Sequence, residues 1–369
     1  MIKEIYQEEL FSEFISLIRE NRIDFIAFAI SHWHAIGVEA EIKSRQFTKG
    51  GLIIILPHPK DGVLLAEEQF KGLVNNENKI YIMKENKSQN LSVIMRQLVG
   101  FFKSQLLNSK QKNEIKIICP LKPYFPILQI FNDTRLARNV KVKYILIDEG
   151  IGSYASQKAW QKIKKVDQGN NKKLKILKWV VSKVINKVYM RLDSEKRFLF
   201  KSENGILYLN EAVAKQYQNV LNRSEVKNNE IAIVVTQPFS EYYFISEKDE
   251  LRVTKEIIDK LLHAHKKVVL KPHPREKMNK YNDILNIYSK EKVSLIEENI
   301  SLERLLEKMN PGQIVGYTST ALLNAKALYD IDSYSAVKYM ELYALDEDAV
   351  EIWREYYNLN RAIVKEFII

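Results

Sequence analysis

Two adjacent carboxylates, Asp148 and Glu149, follow an apolar segment and are themselves followed by Gly150. A carboxylate that is partly desolvated and lies beside a like charge can have a raised pKa, which suits it to act as a general base. The glycine allows a sharp turn after the pair. The alternative interpretation is an acidic turn that caps a helix, and the motif in isolation favours that alternative.

A histidine between two prolines follows a second apolar segment, in the run Lys271–Pro272–His273–Pro274–Arg275. Each proline fixes its own φ angle and disfavours the helical region for the preceding residue, so we predict a stiff, extended loop. Histidine can donate a proton or a hydrogen bond near neutral pH, and the flanking cations favour an anionic ligand such as phosphate. The alternative is a loop that only turns the chain.

Three hydroxyl residues, Thr318, Ser319 and Thr320, stand where a late helix is expected to begin. Their hydroxyl groups and the first free N–H groups of the helix would form an anion site. A simple helix cap explains the same residues and is the more economical interpretation of this motif alone.

Apolar segments alternate with helical patterns along most of the chain, which predicts parallel, doubly wound sheets. The strands are predicted at 25–30, 51–56, 79–83, 115–120, 142–147, 205–209, 231–235, 267–270, 293–296 and near 313–316. The helices are predicted at about 8–22, after 31–34 up to about 45, at 90–107, 247–265, 302–309, from 321, and at 349–367. The motif loops follow strands, and the carboxyl edge of such a sheet is where ligands bind.

We therefore predict an α/β fold of the GT-B-like class, in which two Rossmann-like domains face a cleft. The predicted parts are an N-terminal, acceptor-side domain (1–156), a basic amphipathic helical insertion (157–203), a C-terminal, donor-side domain (204–345) and a C-terminal helix (346–369).

The positive charge is concentrated in one part of the chain. The formal net charge is +11, and residues 157–201 hold 14 Lys/Arg against three acids, 14 − 3 = +11. The single cysteine, Cys119, excludes an internal disulfide framework. No secretory signal and no apolar run of about 20 residues is seen. We expect a cytoplasmic protein, with peripheral contact with the inner face of the membrane left open.

The three motifs together resemble those of bacterial sialyltransferases: Asp148–Glu149–Gly150, His273–Pro274 and Ser319–Thr320. The similarity is closest to the lipooligosaccharide and capsule sialyltransferases and the polysialyltransferases, and it extends over about residues 20–345 without the basic insertion. Thr236–Gln237–Pro238 and the segment ending at Ser31–His32–Trp33–His34 have similar counterparts there. Some relatives carry two serines where this chain has Thr318–Ser319–Thr320.

The resemblance implies an inverting transfer of sialic acid from CMP-sialic acid to a cell-surface glycan or glycolipid. Glu149 would be the general base, His273 would stabilise or protonate the departing CMP phosphate, and Ser319 and Thr320 would hydrogen-bond that phosphate. The expected catalytic residues are Asp148, Glu149 and His273; the donor-binding residues are Gly150, Gln237, Lys271, Pro274, Arg275, Thr318, Ser319 and Thr320; the acceptor-side candidates are Ser31 and His32.

No metal or other cofactor is expected, because a leaving monophosphate needs less charge neutralisation than a diphosphate. The paired histidines do not indicate a metal site either. His263 and His265 are two apart on a predicted helix and would point about 200° away from each other.

Several alternatives stay open. The enzyme could use another nucleotide sugar, or the chain could be a basic nucleic-acid-binding protein, although aromatic residues are sparse in the basic segment. The insertion could be a solvated helix, a membrane contact or a binding surface for a polyanionic acceptor. The acceptor, the linkage (2,3, 2,6 or 2,8), polymerisation and a homodimer are equally open.

Overall fold

The computed structural model describes residues 2–6, 9, 13, 16–17, 20, 22–56, 67, 69–73, 78–84, 113–120, 140–150, 153–154, 194–221, 226–297, 300–345 and 347–368. The predicted helix at 90–107, nearly all of the basic insertion and the greater part of the predicted helix at 8–22 lie outside these residues. The described chain divides into two compact units. Unit 1 comprises the described residues up to Glu149 together with residues 194–198. Unit 2 comprises the described residues from Gly150 to 154 and from Leu199 onward.

The described part of unit 1 contains a parallel sheet with the strand order β1-β4-β3-β2-β5-β6-β7. Its strands are β1 (Ile2–Tyr6), β2 (Ile23–Ala29), β3 (Gly50–Ile55), β4 (Lys79–Lys84), β5 (Asn113–Pro120), β6 (Val140–Ile147) and β7 (Ser194–Arg197). Apolar side chains from both faces of these strands are buried, which explains why the central strands read as continuous apolar runs.

One helix of unit 1, α1 (His32–Arg45), follows β2 directly. Ser31 caps its first turn, because the Ser31 hydroxyl accepts a hydrogen bond from the backbone N–H of His34 at 3.3 Å. The helix ends at Gln46, which adopts the left-handed conformation with φ 47°. The strand–helix order predicted for this region is therefore present.

Unit 2 contains a second parallel sheet, with the order β12-β11-β10-β13-β14-β15 among the described residues. Its strands are β10 (Asn228–Val235), β11 (Lys267–Lys271), β12 (Val293–Leu295), β13 (Pro311–Gly316), β14 (Asp332–Ser335) and β15 (Lys365–Glu366). Its helices are α2 (Glu211–Gln218), α3 (Glu247–Leu262), α4 (Asn282–Leu285), α5 (Leu302–Met309), α6 (Thr320–Tyr329), α7 (Val337–Met340) and α8 (Glu347–Asn360).

The strand predicted at 205–209 does not belong to this parallel sheet. Residues Ile206–Leu209 form β9, which pairs with β8 (Phe200–Glu203) in an antiparallel hairpin. Asn204 and Gly205 connect the two strands with φ angles of 51° and 74°. An asparagine–glycine pair is a sequence signal for a tight hairpin turn, and it accounts for the antiparallel pairing of β8 and β9.

Three neighbouring strands of unit 2 end at the same level. Val235, the last residue of β10, pairs with Lys271 at the end of β11 and with Gly316 at the end of β13. The loops that follow these strands are therefore adjacent at the carboxyl edge of the sheet.

The C-terminal helix α8 packs into the core of unit 2. Trp353 lies 5.0 Å from the ring of Phe239, measured between ring centroids, and Phe244 contacts the same indole. The predicted α/β class with two Rossmann-like domains is confirmed by the two parallel sheets and their flanking helices. Among the described residues, no helix is both long and apolar enough to cross a bilayer.

Candidate functional site

The candidate site of unit 2 is formed by the loops after β10, β11 and β13. They carry Gln237, His273 and Thr318 respectively. The sequence separates these residues by tens of positions, and the register of the three strands brings their loops to one edge. This is the edge at which open α/β sheets bind their ligands.

His273 occupies the first position of a tight turn. The backbone N–H of Glu276 donates to the carbonyl of His273 at 2.9 Å, and Pro274 stands at the second position, which proline favours. The backbone N–H of Arg275 donates to the Nδ1 atom of the His273 ring at 3.2 Å. Nδ1 is therefore an acceptor, and the proton of the neutral ring is on Nε2.

Arg275 is held beside this turn by its own side chain. Its Nη1 atom donates to the hydroxyl oxygen of Tyr242 at 2.6 Å. Tyr242 lies on the segment that follows β10, so this contact joins two of the three loops. The guanidinium is exposed.

A carboxylate that the sequence interpretation missed, Glu276, lies directly beneath the turn. Its Oε2 atom accepts from the backbone N–H of His273 at 2.5 Å and from the Thr236 hydroxyl at 2.8 Å. Its Oε1 atom accepts from the Tyr281 hydroxyl at 2.6 Å and from the Lys280 ammonium at 2.8 Å. The buried side chain of Glu276 thus connects the loops after β10 and β11 to the interior of unit 2.

Lys280 is the counter-ion of a buried acidic cluster. Its ammonium also lies 3.2 Å from Glu241 and 3.0 Å from Glu250. Burial lowers the pKa of Lys280, but the nearby carboxylates outweigh burial and raise it overall. The three carboxylates could in principle surround a metal ion, and here the ammonium contacts each of them. The cluster was not foreseen, because its charges are far apart in sequence.

Glu250 is a fully buried acid of this cluster. Burial raises its pKa, and the opposing attraction of Lys280 does not cancel the effect. Among the described residues, its Oε1 atom has no hydrogen-bond partner, while Oε2 accepts from Lys280 and from the backbone N–H of Ser240. The carboxyl group therefore favours its protonated form more than an exposed glutamate does.

Lys271, at the end of β11, is a buried cation with little local compensation. Lys271 is 8% exposed. Burial lowers the pKa of its ammonium group, although the nearby carboxylates of Glu276 and Glu303 act to raise it. Within the described part of the chain, its ammonium donates only to the carbonyl of Pro272, at 3.2 Å, and forms no ion pair. Such a group has donors left for an anionic ligand.

The loop after β13 is fixed by Gln237. The Oε1 atom of Gln237 accepts from the backbone N–H of Thr318 at 2.7 Å and from its hydroxyl at 3.0 Å. Ser319 caps α6, because its hydroxyl accepts from the backbone N–H of Ala321 at 3.2 Å. The helix-cap interpretation therefore describes the Ser319 hydroxyl in this structure.

Gly150 lies against the first residue of α6. It has a φ of 90°, and a β-carbon at this position would lie 2.9 Å from the Oγ1 atom of Thr320. Both residues belong to unit 2. The glycine of the acidic motif and the hydroxyl motif, which are 170 positions apart by number, are thus neighbours in space.

Asp148 and Glu149 are the last residues of unit 1 before the chain enters unit 2. They follow β6 directly, at the carboxyl end of that strand. Asp148 is 1% exposed, whereas Glu149 is partly exposed. Of the two carboxylates, Glu149 is thus the one with access to solvent.

The acceptor-side candidates Ser31 and His32 lie at the start of α1 in unit 1. Ser31 is the helix cap described above, and His32 is buried. The Nε2 atom of His32 is 3.0 Å from Oε1 of Gln69, and the amide of Gln69 in turn donates to Glu39. In this structure both side chains therefore take part in contacts that stabilise the start of the helix.

One sheet edge of unit 2 therefore has the following predicted site residues at or beside it: Gly150, Gln237, Lys271, His273 and Thr318. Asp148, Glu149, Ser31 and His32 belong to unit 1. A two-sheet α/β chain with a buried cation, a histidine of defined tautomer and hydroxyl groups at adjacent strand ends has the features of a site for a phosphate-bearing ligand.

A family model identifies the class more closely. The model for alpha-2,8-polysialyltransferases (POLYST) matches residues 25–338, and the chain belongs to this family. An uncharacterized protein of Haemophilus influenzae (strain ATCC 51907 / DSM 11121 / KW20 / Rd) is 27% identical over 148 residues. That match covers 37% of this chain and 46% of the other protein, so the chain spans about half the length of this relative.

Three solved structures show similarity to this chain. UDP-GlcNAc 2-epimerase from Methanocaldococcus jannaschii has a TM-score of 0.47 at 10% identity, covering 97% of this chain and 92% of its own. Escherichia coli heptosyltransferase WaaC with ADP has a TM-score of 0.37 at 9% identity, with coverages of 85% and 87%. Acinetobacter baumannii MurG has a TM-score of 0.38 at 8% identity, with coverages of 85% and 78%.

Proposed function

We propose that this protein is an inverting sialyltransferase that moves sialic acid from CMP-sialic acid to a glycan acceptor that itself ends in sialic acid. Membership of the alpha-2,8-polysialyltransferase family supports the donor and acceptor classes. The observation that carries the proposal is the His273 turn, in which Nδ1 accepts from the backbone and Nε2 holds the ring proton. This arrangement makes Nε2 a hydrogen-bond donor, which is the role that a departing phosphate oxygen requires.

The proposed reaction is a single displacement at the anomeric carbon. Glu149, the more accessible acid of the pair, takes the proton of the acceptor hydroxyl as its oxygen attacks. The bond between the anomeric carbon and the CMP phosphate oxygen breaks, and the bond to the acceptor oxygen forms on the opposite face. The anomeric configuration is therefore inverted, and CMP leaves with the bonding electrons.

Residues of unit 2 stabilise the charge that develops on the leaving phosphate. His273 donates a hydrogen bond from Nε2, and the Lys271 ammonium supplies a positive charge at a desolvated position, where it acts more strongly than it would in water. The hydroxyl group of Thr320 and the start of α6 supply further donors. In this proposal, the chain's own residues neutralise the leaving group.

The decisive experiment incubates the purified protein with CMP-sialic acid and a panel of galactosides and sialosides. We expect transfer to sialosides, release of CMP, and loss of at least about a hundredfold in kcat for Glu149→Gln and for His273→Ala. UDP-sugars are tested in parallel, because transfer from a UDP-sugar and none from CMP-sialic acid would replace the proposed donor. Full activity of Glu149→Gln would remove the base assignment.

The basic segment 157–201 is proposed to keep the enzyme at an anionic surface. Its 14 basic residues against three acids, a net charge of 14 − 3 = +11, attract either anionic lipid head groups or a sialylated polymer. Reversing the charges of Lys172, Lys173, Lys175 and Lys178 is expected to abolish sedimentation with anionic liposomes if lipid is the partner. Unchanged sedimentation together with weaker binding of polysialic acid would assign the segment to the acceptor.

A further inference from the structure

We propose that Glu276 is a positioning residue for His273: it fixes the turn that commits Nδ1 of the ring to the backbone and leaves Nε2 as the donor. This inference builds on the proposed function, because the purpose of the fixed ring is to meet the leaving phosphate. Glu276 itself is buried and acts through the turn.

The first step of the argument is that the turn is closed from both ends. The backbone N–H of Glu276 donates to the carbonyl of His273 at 2.9 Å, and the side chain of Glu276 accepts from the backbone N–H of His273 at 2.5 Å. The two residues therefore hold each other reciprocally. Between them, the N–H of Arg275 is placed 3.2 Å from Nδ1 of the ring.

The second step is that the two oxygen atoms of Glu276 have separate partners. Oε2 serves the loops, since it accepts from His273 and from Thr236. Oε1 serves the interior, since it accepts from Tyr281 and Lys280. A carboxylate that only stabilised the interior would need only the contacts of Oε1. The proposal therefore concerns the contacts of Oε2.

The third step is the effect on the histidine ring. A free imidazole exchanges its proton between Nδ1 and Nε2, and only the hydrogen bond to one nitrogen fixes which tautomer is present. Here the Arg275 N–H faces Nδ1, so the tautomer depends on the turn's being held closed. If Glu276 did not hold the His273 backbone, the turn would loosen and the ring would sample both tautomers.

Two conservative variants separate the two oxygen atoms. Glu276→Gln loses the charge but keeps the length; its amide oxygen can face the His273 N–H, since the Tyr281 hydroxyl can rotate to accept from the amide and Lys280 retains Glu241 and Glu250. Glu276→Asp keeps the charge near Lys280 but is one methylene shorter, so it cannot reach both sets of partners. A positioning role predicts that Gln resembles the wild type and Asp is impaired, whereas a charge-balancing role predicts the reverse order.

The primary measurement does not depend on catalysis. In the full chain labelled with ¹⁵N-histidine, the His273 signals are assigned by comparison with His273→Gln, and the ¹⁵N shifts of the two ring nitrogens report the tautomer. We expect the wild type and Glu276→Gln to show one tautomer protonated at Nε2, and Glu276→Asp to show averaged shifts. The same shifts in all three proteins would overturn the proposal.

The second measurement is kinetic, with CMP-sialic acid. Glu276→Asp is expected to lower kcat at least about tenfold with the donor KM changed by less than about threefold, because a misdirected donor weakens stabilisation of the leaving group. Glu276→Gln should keep kcat within about threefold of the wild type. A raised donor KM at unchanged kcat would instead mean that Glu276 affects binding alone, and would contradict the positioning role.

Glu41 provides the matched control for loss of a buried, ion-paired carboxylate. It lies in unit 1, whereas the His273 turn belongs to unit 2, and it pairs with Arg45 at 2.8 Å and with Arg197 at 2.9 Å. Glu41→Gln should lower thermal stability and leave the His273 ring shifts unchanged. If no donor yields transfer even with the wild type, the proposed function fails, while the ring shifts still decide the positioning role.

Discussion

The hydroxyl of Thr320 fills the space beside Gly150 where any other residue would place its β-carbon. The added carbon would lie 2.9 Å from Oγ1 and 3.0 Å from Cγ2 of Thr320, and Gly150 also has a φ of 90°. We expect Gly150→Ala to displace Thr320, to cost about 1–3 kcal/mol of stability, and to lower sialyl transfer more than stability alone explains. Thermal denaturation and steady-state kinetics measure the two effects.

The control for Gly150→Ala is Gly205→Ala. Gly205 has a similar φ of 74°, but a β-carbon there would meet no atom within 4 Å. It therefore reports the backbone strain without the collision. Equal losses in activity for the two variants would show that the contact with Thr320 is irrelevant to the reaction.

Replacement of the buried cation should separate stability from ligand binding. Burial lowers the pKa of Lys271, so its charged form is less favourable in the folded chain than in the unfolded chain. This cost is fully present below the folded pKa and disappears as the pH rises above the unfolded value of 10.5. Lys271→Met should thus keep or raise the melting temperature at neutral pH, while weakening CMP binding about tenfold or more by calorimetry.

Lys255→Met is the comparison for Lys271→Met, because it removes a positive charge from the partly exposed face of α3, where Lys255 pairs with Asp259. We expect it to leave CMP affinity unchanged. An equal loss of affinity in both variants would indicate long-range attraction and not a local phosphate contact.

Glu250→Gln should change the pH dependence of stability. The folded-state pKa of Glu250 is raised by burial, so the stability it contributes is fully present below the unfolded value of 4.5 and is lost as the pH rises through the folded pKa. Glutamine does not titrate. The variant should therefore gain stability relative to the wild type as the pH increases, by about 1.4 kcal/mol for each unit of the pKa shift.

Chemical denaturation between pH 4 and 8 measures this trend. The exposed Glu247 on the same helix serves as the control, since Glu247→Gln removes a charge without removing a buried carboxyl. A constant difference between Glu250→Gln and the wild type across the range would show that Glu250 has the same pKa in both states.

Gln237→Glu places a negative charge beside the proposed phosphate site without removing a hydrogen-bond acceptor. The new carboxylate can still accept from the N–H and hydroxyl of Thr318, so the fold should be retained. The donor KM should rise about tenfold, which corresponds to ~1.4 kcal/mol, and the rise should shrink at high salt. An unchanged KM would place the donor phosphate elsewhere.

Gln237→Leu has the opposite expectation. It leaves the Thr318 N–H without its acceptor, and a buried donor without a partner costs about 1–3 kcal/mol. It should therefore destabilise the protein more than Gln237→Glu does, although it adds no charge.

The sequence alone was sufficient for the central strands and for the loops that follow them. A strand buried on both faces requires a continuous apolar run, and β2 and β3 display such runs. Two strands near the sheet margins were missed because they carry no apolar run. Strand β7, at the described margin of its sheet, has the sequence Ser-Glu-Lys-Arg, and β14, which lies between β13 and the two-residue strand β15, has Asp-Ser-Tyr-Ser. The predicted helices at 247–265 and 349–367 end earlier, at Leu262 and Asn360, and the strand β15 occupies Lys365–Glu366 near the end of the second one.

The site was predictable to the extent that its residues stand directly after strands. His273 and Gln237 follow strand ends, and Lys271 is the last residue of its strand. Glu276 and Lys280 do not stand directly after a strand: a glutamate and a lysine four residues apart ordinarily indicate a solvated surface. Lys280 is buried because it pairs with Glu241 and Glu250, which belong to the preceding loop and helix. No local sequence pattern predicts these long-range contacts.

The side chain of Glu276 also affects local opening of the loop after β11. Loops at a sheet edge ordinarily open in small fluctuations, and their amide protons exchange rapidly with solvent. The amide proton of His273 is bonded to a carboxylate that is also bonded to Thr236, Tyr281 and Lys280. Its release therefore requires cooperative opening of the surrounding structure. Deuterium exchange at His273 should be among the slow rates of unit 2, close to those of β10 and β11.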